Sequence, residues 1–138
     1  MDFTSVFSPI QRLLFYYYVY ERKIEEDYMQ PFTERVIQII QAIPYGKVMT
    51  YGQIAAEAGS PRGARQVVRI LHSMSEKYHL PWHRVVNIKG EIAIADDESR
   101  FLQQMLLEEE GISFGLHPIV DLSLYRYESE SPESTDET

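Results

Sequence analysis

The sequence predicts a mainly α domain with a small β wing, a winged helix-turn-helix preceded by a helical extension. Three observations carry that expectation. Apolar residues recur at helical spacing in successive stretches of the chain. Two of these stretches are short and flank Gly59-Ser60-Pro61-Arg62-Gly63, a run of breakers that no regular element would carry, and the second opens with arginine. After them come Val85-Val86, the turn Asn87-Ile88-Lys89-Gly90 and the alternating Glu91–Ala95, which read as a small hairpin.

Taken in order, residues 3–24 place Phe3, Val6, Phe7, Ile10, Leu13, Leu14, Tyr17 and Tyr18 at helical spacing. The run Leu13–Tyr20 is far too short to span a bilayer, and the acidic start with no small-residue cleavage site is not a secretory signal. The four tyrosines of Tyr16–Tyr20 suit a docking surface, and Met29 reads as an alternative start. Thr33 reads as the N-cap of a helix with Phe32, Val36, Ile39, Ile40 and Ile43 as its apolar stripe, ending at Pro44. Tyr45-Gly46-Lys47 is a turn and Val48-Met49 a short extended link. Thr50 caps a helix Tyr51–Ala58 that packs through Ile54, Ala55 and Ala58. The next helix, Ala64–Ser75, turns Val67, Val68, Leu71 and Met74 inward and Arg65, Arg69 and His72 outward. Asp97 caps a last helix that buries Phe101, Leu102, Met105 and Leu106 and ends at Gly111. The alternation of Val120, Leu122, Leu124 and Tyr125 predicts a terminal strand over Val120–Tyr127. There are no internal repeats. The expected organisation is an extension over 1–31, one domain over 32–127 and a disordered acidic tail over 128–138.

At 138 residues the chain is long enough for one domain with a real core. It has no cysteine, which excludes a disulfide framework, a thiolate zinc site and a thiol nucleophile. The net charge of −8 speaks against nucleic acid only when taken whole. The tail holds Glu128, Glu130, Glu133, Asp136 and Glu137, and residues 1–31 are also acidic. The stretch Arg35–Lys89 holds Arg35, Lys47, Arg62, Arg65, Arg69, Lys77, Arg84 and Lys89 against Glu57 and Glu76, the footprint of a phosphate-binding face.

Ile43-Pro44-Tyr45-Gly46-Lys47-Val48-x-Thr50-Tyr51-Gly52-x-Ile54-Ala55, then Ala64-Arg65-x-Val67, then Pro81-Trp82-His83-Arg84-Val85-Val86-Asn87 form an ordered set. Running from about Phe32 to Tyr127, it resembles the DNA-binding domain of the O6-alkylguanine-DNA alkyltransferases. Trp82, the only tryptophan, stands where those enzymes carry their alkyl-accepting cysteine, so the chain resembles the alkyltransferase-like proteins. Singly, Arg65 reads as a solvated helix residue, Tyr51 as a packed aromatic and Trp82 as core; their joint placement around the Pro-Trp-His-Arg motif reverses those readings. The resemblance implies that a stacked, damaged guanine is rotated out of the duplex. Arg65 fills the vacated place through the minor groove, where a guanidinium stacks and donates better than an ammonium. Tyr51 presses on the 3′ phosphate, and Thr50, Gln53, Arg62, Ala64 and Arg69 share the DNA face. The lesion pocket it implies is built of Tyr51, Pro81, Trp82, His83, Val85, Ala93 and Ala95. His83 and Glu110 fall at the positions of a proton relay that has no thiol to activate, and Arg84 pairs structurally.

The function expected is therefore non-enzymatic: binding of O6-alkylguanine in double-stranded DNA and its presentation to nucleotide excision repair proteins. No catalytic residue, metal or cofactor is implied, and no membrane. The protein is expected as a monomer in the cytoplasm, at the nucleoid of a bacterium or in the nucleus of a eukaryote. Three departures from the family stand out. Val68 replaces a glycine of the recognition helix, Ser73-Met74 replaces a bridging asparagine, and Ile94-Ala95-Asp96 lacks an arginine that some relatives carry after the wing. Two other readings compete. One is a sequence-specific winged-helix regulator reading bases through Arg62, Arg65 and Arg69. The other is an enzyme of different chemistry, such as a glycosylase using His83 with Asp96 or Asp97.

Overall fold

The computed structural model describes residues 8–17 and 29–129. The chain divides into two compact units, Met1–Pro31 and Phe32–Thr138. In the first, residues 9–17 are helical, and Ser8 and Gln11 cap each other reciprocally: the Gln11 N–H donates to Ser8 Oγ and the Ser8 N–H to Gln11 Oε1. The rest of the expected helix, with Tyr18 and Tyr20, lies outside the described residues, as does the tail beyond Ser129. Among the described residues no helix is long and apolar enough to cross a membrane.

Helix α1, Pro31–Gln41, begins two residues before the expected cap Thr33. Proline at the first helical position is pre-set in φ and gives up an N–H that would be unpaired there. Its buried face is Val36, Ile37 and Ile40, with Ile43 following; Ile39 is half-buried. Strand β1, Met49–Thr50, leads directly into α2, Tyr51–Glu57. Thr50 and Gln53 form a capping box, with the Gln53 N–H donating to Thr50 Oγ1 and the Thr50 N–H to Gln53 Oε1. The turn after α2 passes through Gly59 at φ +101° and reaches α3, Ala64–Tyr78. At Gly63 an added Cβ would stand 3.0 Å from the Phe32 ring, so α1 closes over this turn. Ile54, Ala55 and Ala58 of the α2 segment and Val67 and Ile70 of α3 are buried, and the two helices make the expected helix-turn-helix.

Three expectations are corrected. Residues 85–95 do not form an antiparallel hairpin. Strand β2, Val85–Val86, instead pairs in parallel with β1, Met49 opposite Val85 and Thr50 opposite Val86. The turn itself is present: Asn87 Oδ1 accepts from the N–H groups of Lys89 and Glu91. It is then held by Gly90 O accepting from the Val120 N–H and by a bridge of Glu91 to Ile119. A side chain at Gly90, at φ +80°, would run into the Val120 carbonyl. The expected terminal strand is a helical turn, α5 (Leu122–Tyr125), because Asp121 Oδ1 accepts from the Ser123 N–H and hydroxyl and starts a helix. Only Arg126 rejoins Val48 in a bridge.

The third correction concerns the last long helix, α4 (Asp97–Glu109), which is capped by Asp96 rather than Asp97, while Asp97 pairs with Arg100. Its buried residues are Gln103 and Leu107, while Phe101 is 68% exposed and Leu102 and Met105 are also exposed. The core position goes to the Gln103 amide because two inner carbonyls need a donor: its Nε2 serves both His83 O and Val85 O. Val48, Val86, Leu107, Ile112 and Val120 form the buried cluster beneath, with Phe114, Leu122 and Tyr125 against it. Gly111, at φ +92°, ends the helix as expected.

Just before it, Glu110 ties α4 to the motif segment η1, Trp82–Arg84. Its carboxylate accepts from Arg84 Nε and Nη2, from His83 Nε2 at 2.6 Å and from the Gly46 N–H at 2.8 Å. Arg84 Nη1 also donates to Ile43 O. Burial alone would raise the Glu110 carboxyl, but the hydrogen bonds from Arg84, Gly46 and His83 hold it below its ordinary value. A carboxyl lowered on folding contributes stability above its unfolded value, near pH 4, and loses it as pH falls through the folded one. Glu110→Gln should therefore cost about 3 kcal/mol in urea unfolding at pH 7, as Arg84 is left without its counter-charge. The gap to wild type should narrow below about pH 4; equal stabilities at pH 7 would contradict this role.

Candidate nucleic-acid interface

The outward face of α3 follows from its burial. With Val67 and Ile70 inward, Arg65, Arg69 and His72 fall at i, i+4 and i+7 on the opposite side, all exposed. Arg62 is exposed in the preceding turn, and Ala64 is half-buried at the first helical position. The basic stretch does not act as one face. Arg35 Nε donates to Ala58 O, Lys47 Nζ to Leu124 O, and Arg84 is bound to Glu110. At the start of this helix the stretch offers Arg62, Arg65 and Arg69 to solvent, with Lys77 exposed in the last turn and Lys89 in the turn after β2.

Of the other expected DNA-face residues, Thr50 is buried as the α2 cap. Gln53 completes that capping box and sends Nε2 to Tyr127 O at 2.5 Å. Their side chains are spent on the fold, and they present the N-terminus of α2 rather than contact groups. Tyr51, the first residue of that helix, is half-buried, and burial pushes its phenol above the ordinary value. It stays a neutral hydroxyl at physiological pH, which a negatively charged phosphate tolerates and a phenolate would not.

Alongside the exposed face of α3 lies a cavity of about 620 Å³. Tyr51 and Trp82 line it, with Val68, Arg69, Leu71, His72 and Ser75 from α3 and Ile94, Asp96, Ser99 and Gln103 from α4 and the segment leading into it. Of the expected pocket residues the structure brings together Tyr51 and Trp82. Pro81 and His83 flank Trp82 outside the lining: the His83 ring stands edge-on to the indole at 86° and 6.2 Å, and its Nε2 is bonded to Glu110. Val85 is buried in the sheet, and Ala93 and Ala95 are exposed on either side of Ile94.

Val68, expected to face inward, is instead 47% exposed and sits in the cavity wall, so at the position where the resemblance implies a glycine the side chain faces the pocket. Ser73 does not bridge to another element, its hydroxyl donating back to Arg69 O. After the wing, where the resemblance implies an arginine in some relatives, Asp96 is committed to its cap, and the cation in the wall comes from Arg69. Val68, Leu71, His72 and Ser75 are not among the expected lining residues, although they form one stripe at i, i+3, i+4 and i+7, a signal the sequence carries. Ser99 and Gln103, at i and i+4, escape sequence reasoning because the apolar pattern of α4 points to a different inner face. Among the described residues no group of acidic and histidine side chains could hold a metal.

Residues 31–112 match the family model described as 6-O-methylguanine DNA methyltransferase, DNA binding domain. The chain belongs to that family. The DNA base-flipping protein of Escherichia coli strain K12 is 44% identical over 107 residues, 78% of this chain and 81% of that protein. Alkyltransferase-like protein 1 of Schizosaccharomyces pombe is 41% identical over 108 residues, 76% of this chain and 94% of that protein. A crystal structure of the S. pombe protein with damaged DNA containing O6-carboxymethylguanine superposes with a TM-score of 0.66 at 36% identity, covering 73% of this chain and 98% of that one. Within the methyltransferase DNA-binding family this chain is thus an alkyltransferase-like member: with no cysteine it has no alkyl acceptor.

The presentation of Tyr51 rests on its cap. Thr50→Ala should cost about 1 kcal/mol of unfolding free energy, with Thr50→Ser close to wild type. Urea denaturation decides it, and an alanine variant as stable as wild type would show that the capping box contributes nothing.

Proposed function

We infer that this protein finds O6-alkylguanine in duplex DNA, rotates the base out and holds it against Trp82 without altering it. One observation carries the reading: Tyr51 and Trp82 share a single cavity whose wall includes Arg69 and His72 of the exposed face of α3. A flipping protein needs a group at the phosphate, a group to fill the gap in the stack and a receptacle. Tyr51, Arg65 and the cavity are candidates for these three roles. Extrusion costs a few kcal/mol and is cheapest for a base that already pairs badly, as alkylated guanine does. Arg65 offsets part of that cost by stacking in the gap and donating to the orphaned partner base. The cavity offers the alkyl group Val68, Leu71, Ile94 and the indole of Trp82, apolar surface in place of a nucleophile. The S. pombe relative was crystallised with DNA containing O6-carboxymethylguanine, and we assign this chain the same class of ligand. Because the lesion is held and not repaired, its value lies in presentation, and nucleotide excision repair proteins are the partners we propose. The protein acts as a monomer wherever the chromosome lies.

Binding of duplexes with O6-methylguanine or plain guanine tests this. The lesion should be preferred at least about tenfold, some 1.4 kcal/mol. Arg65→Ala and Trp82→Ala should each lose about 1–3 kcal/mol of lesion binding, with plain duplex affected less by the tryptophan change. After incubation, the masses of protein and oligonucleotide should be unchanged. Equal affinities for the two duplexes, or binding to one defined sequence regardless of alkylation, would favour an ordinary winged-helix reader instead.

A further inference from the structure

We propose that the acidic segment Glu128–Thr138 docks on the exposed arginine face of α3 and competes there with the phosphates of DNA. The proposal rests on one part of the reading above, that this face meets DNA. Arg62, Arg65 and Arg69 are exposed, and among the described residues none of the three has an ion-pair partner. Helix α3 carries no acid before Glu76. The chain is fastened just before the acidic segment begins: the Tyr127 N–H donates to Val48 O at 2.7 Å, and Tyr127 O accepts from Gln53 Nε2 at 2.5 Å. Gln53 is in the first turn of α2, two residues after Tyr51, and Tyr51 lines the same cavity as Arg69. Glu128 and Ser129 follow directly and are exposed. The acidic segment thus starts from the helix whose first residue meets the arginine face.

Reach and charge select this face. Helix α2 has seven residues and is about 10 Å long. Residues 128–138 span about 36 Å fully extended and about 18 Å as a coil, enough to pass along α2 and over the start of α3. They carry Glu128, Glu130, Glu133, Asp136 and Glu137, no cation and no large apolar side chain, so the partner they fit is a group of cations. Arg126, Lys77 and Lys89 each supply one exposed charge. The stretch Arg62–Arg69 supplies three guanidiniums, each shaped to take a carboxylate through two hydrogen bonds. Single exposed ion pairs are weak. Tethering offsets that weakness, because it holds the carboxylates near the face at an effective concentration of roughly millimolar order. A covered face and a DNA-bound face exclude each other. The segment therefore lowers the apparent affinity for lesion and plain duplex by one common factor, the fraction of molecules whose face is open. It sets how tightly the protein holds DNA and leaves the lesion preference unchanged.

Two measurements on the full chain test this. In the first, Glu128→Gln, Glu130→Gln, Glu133→Gln, Asp136→Asn and Glu137→Gln are combined, and wild type and variant are titrated with O6-methylguanine and plain guanine duplexes. At about 50 mM salt the variant should bind both duplexes about tenfold more tightly, which corresponds to a face covered about nine-tenths of the time. The gain should shrink as salt rises to about 0.5 M. In the second, Thr138→Cys supplies the chain's only thiol for an acceptor dye, and energy transfer from Trp82, the only tryptophan, is read without DNA. Because Arg69 and Trp82 line one cavity, a docked segment holds the dye near the donor. Transfer should fall as salt is raised, and should be lower, with no such fall, when Arg62→Gln, Arg65→Gln and Arg69→Gln are combined. Equal affinities of wild type and neutralised variant for plain duplex overturn the proposal. So does tighter binding with transfer indifferent to the arginines, which is diffuse repulsion, and so does arginine-dependent transfer without tighter binding. Lesion preference is read from the same titrations: its absence in wild type sinks the flipping reading, while competition for plain duplex is judged on its own.

Discussion

Three residues converge on the Glu110 carboxylate, and the geometry of the motif segment depends on them. His83 and Arg84 come from η1, and the Gly46 N–H comes from the turn that leads into β1. One carboxylate thus fixes the end of α4, the segment carrying Trp82 and the approach to α2. With side chains only 6% and 14% exposed for Glu110 and His83, the pairing sits where Coulomb attraction is little screened and an unmatched charge is expensive. By the resemblance, the methyltransferases use the His83 and Glu110 positions to move a proton. Here the same pair holds Trp82 in the wall of a cavity, and a chain without a thiol retains it for structure.

The interface divides its residues between holding and reaching. Thr50 and Gln53 work inward: one caps α2, the other closes that cap and grips Tyr127 O. They set Tyr51 at the helix start. Arg62, Arg65, Arg69, Lys77 and Lys89 are left exposed, while the other three cations of the same basic stretch donate to Ala58 O, Leu124 O and Glu110. Three of the exposed cations cluster at the start of α3, consistent with a protein that binds DNA despite a net charge of −8.

The helix-turn-helix was legible because its signals are local: Thr50 as a cap, Gly59 and Gly63 as breakers, and small apolar residues facing one way. The motif around Trp82 was legible from residue identity. What failed depends on distant partners. Gln103 occupies the core face of α4 because carbonyls twenty and eighteen residues earlier need its amide, and hydrophobic periodicity has no way to register that demand. Val85-Val86 pairs with Met49-Thr50 and not with its own neighbours, so the hairpin suggested by the Asn87–Gly90 turn did not form. At Asp121 a local signal was present, an aspartate two residues before serine, and the alternation of apolar residues masked it. The lining of the cavity was half legible: the α3 stripe could be read from spacing, while the α4 side followed only once its register was known.

The lone tryptophan allows a direct measurement. Its indole lines the cavity proposed to receive the base, so Trp82 emission reports occupancy without a label. Titrating with a duplex holding O6-methylguanine should give saturable quenching, absent with the matched guanine duplex and lost in Arg65→Ala at the same protein concentration. Equal quenching by both duplexes, or none while the lesion duplex is demonstrably bound, would place the base elsewhere and contradict the account.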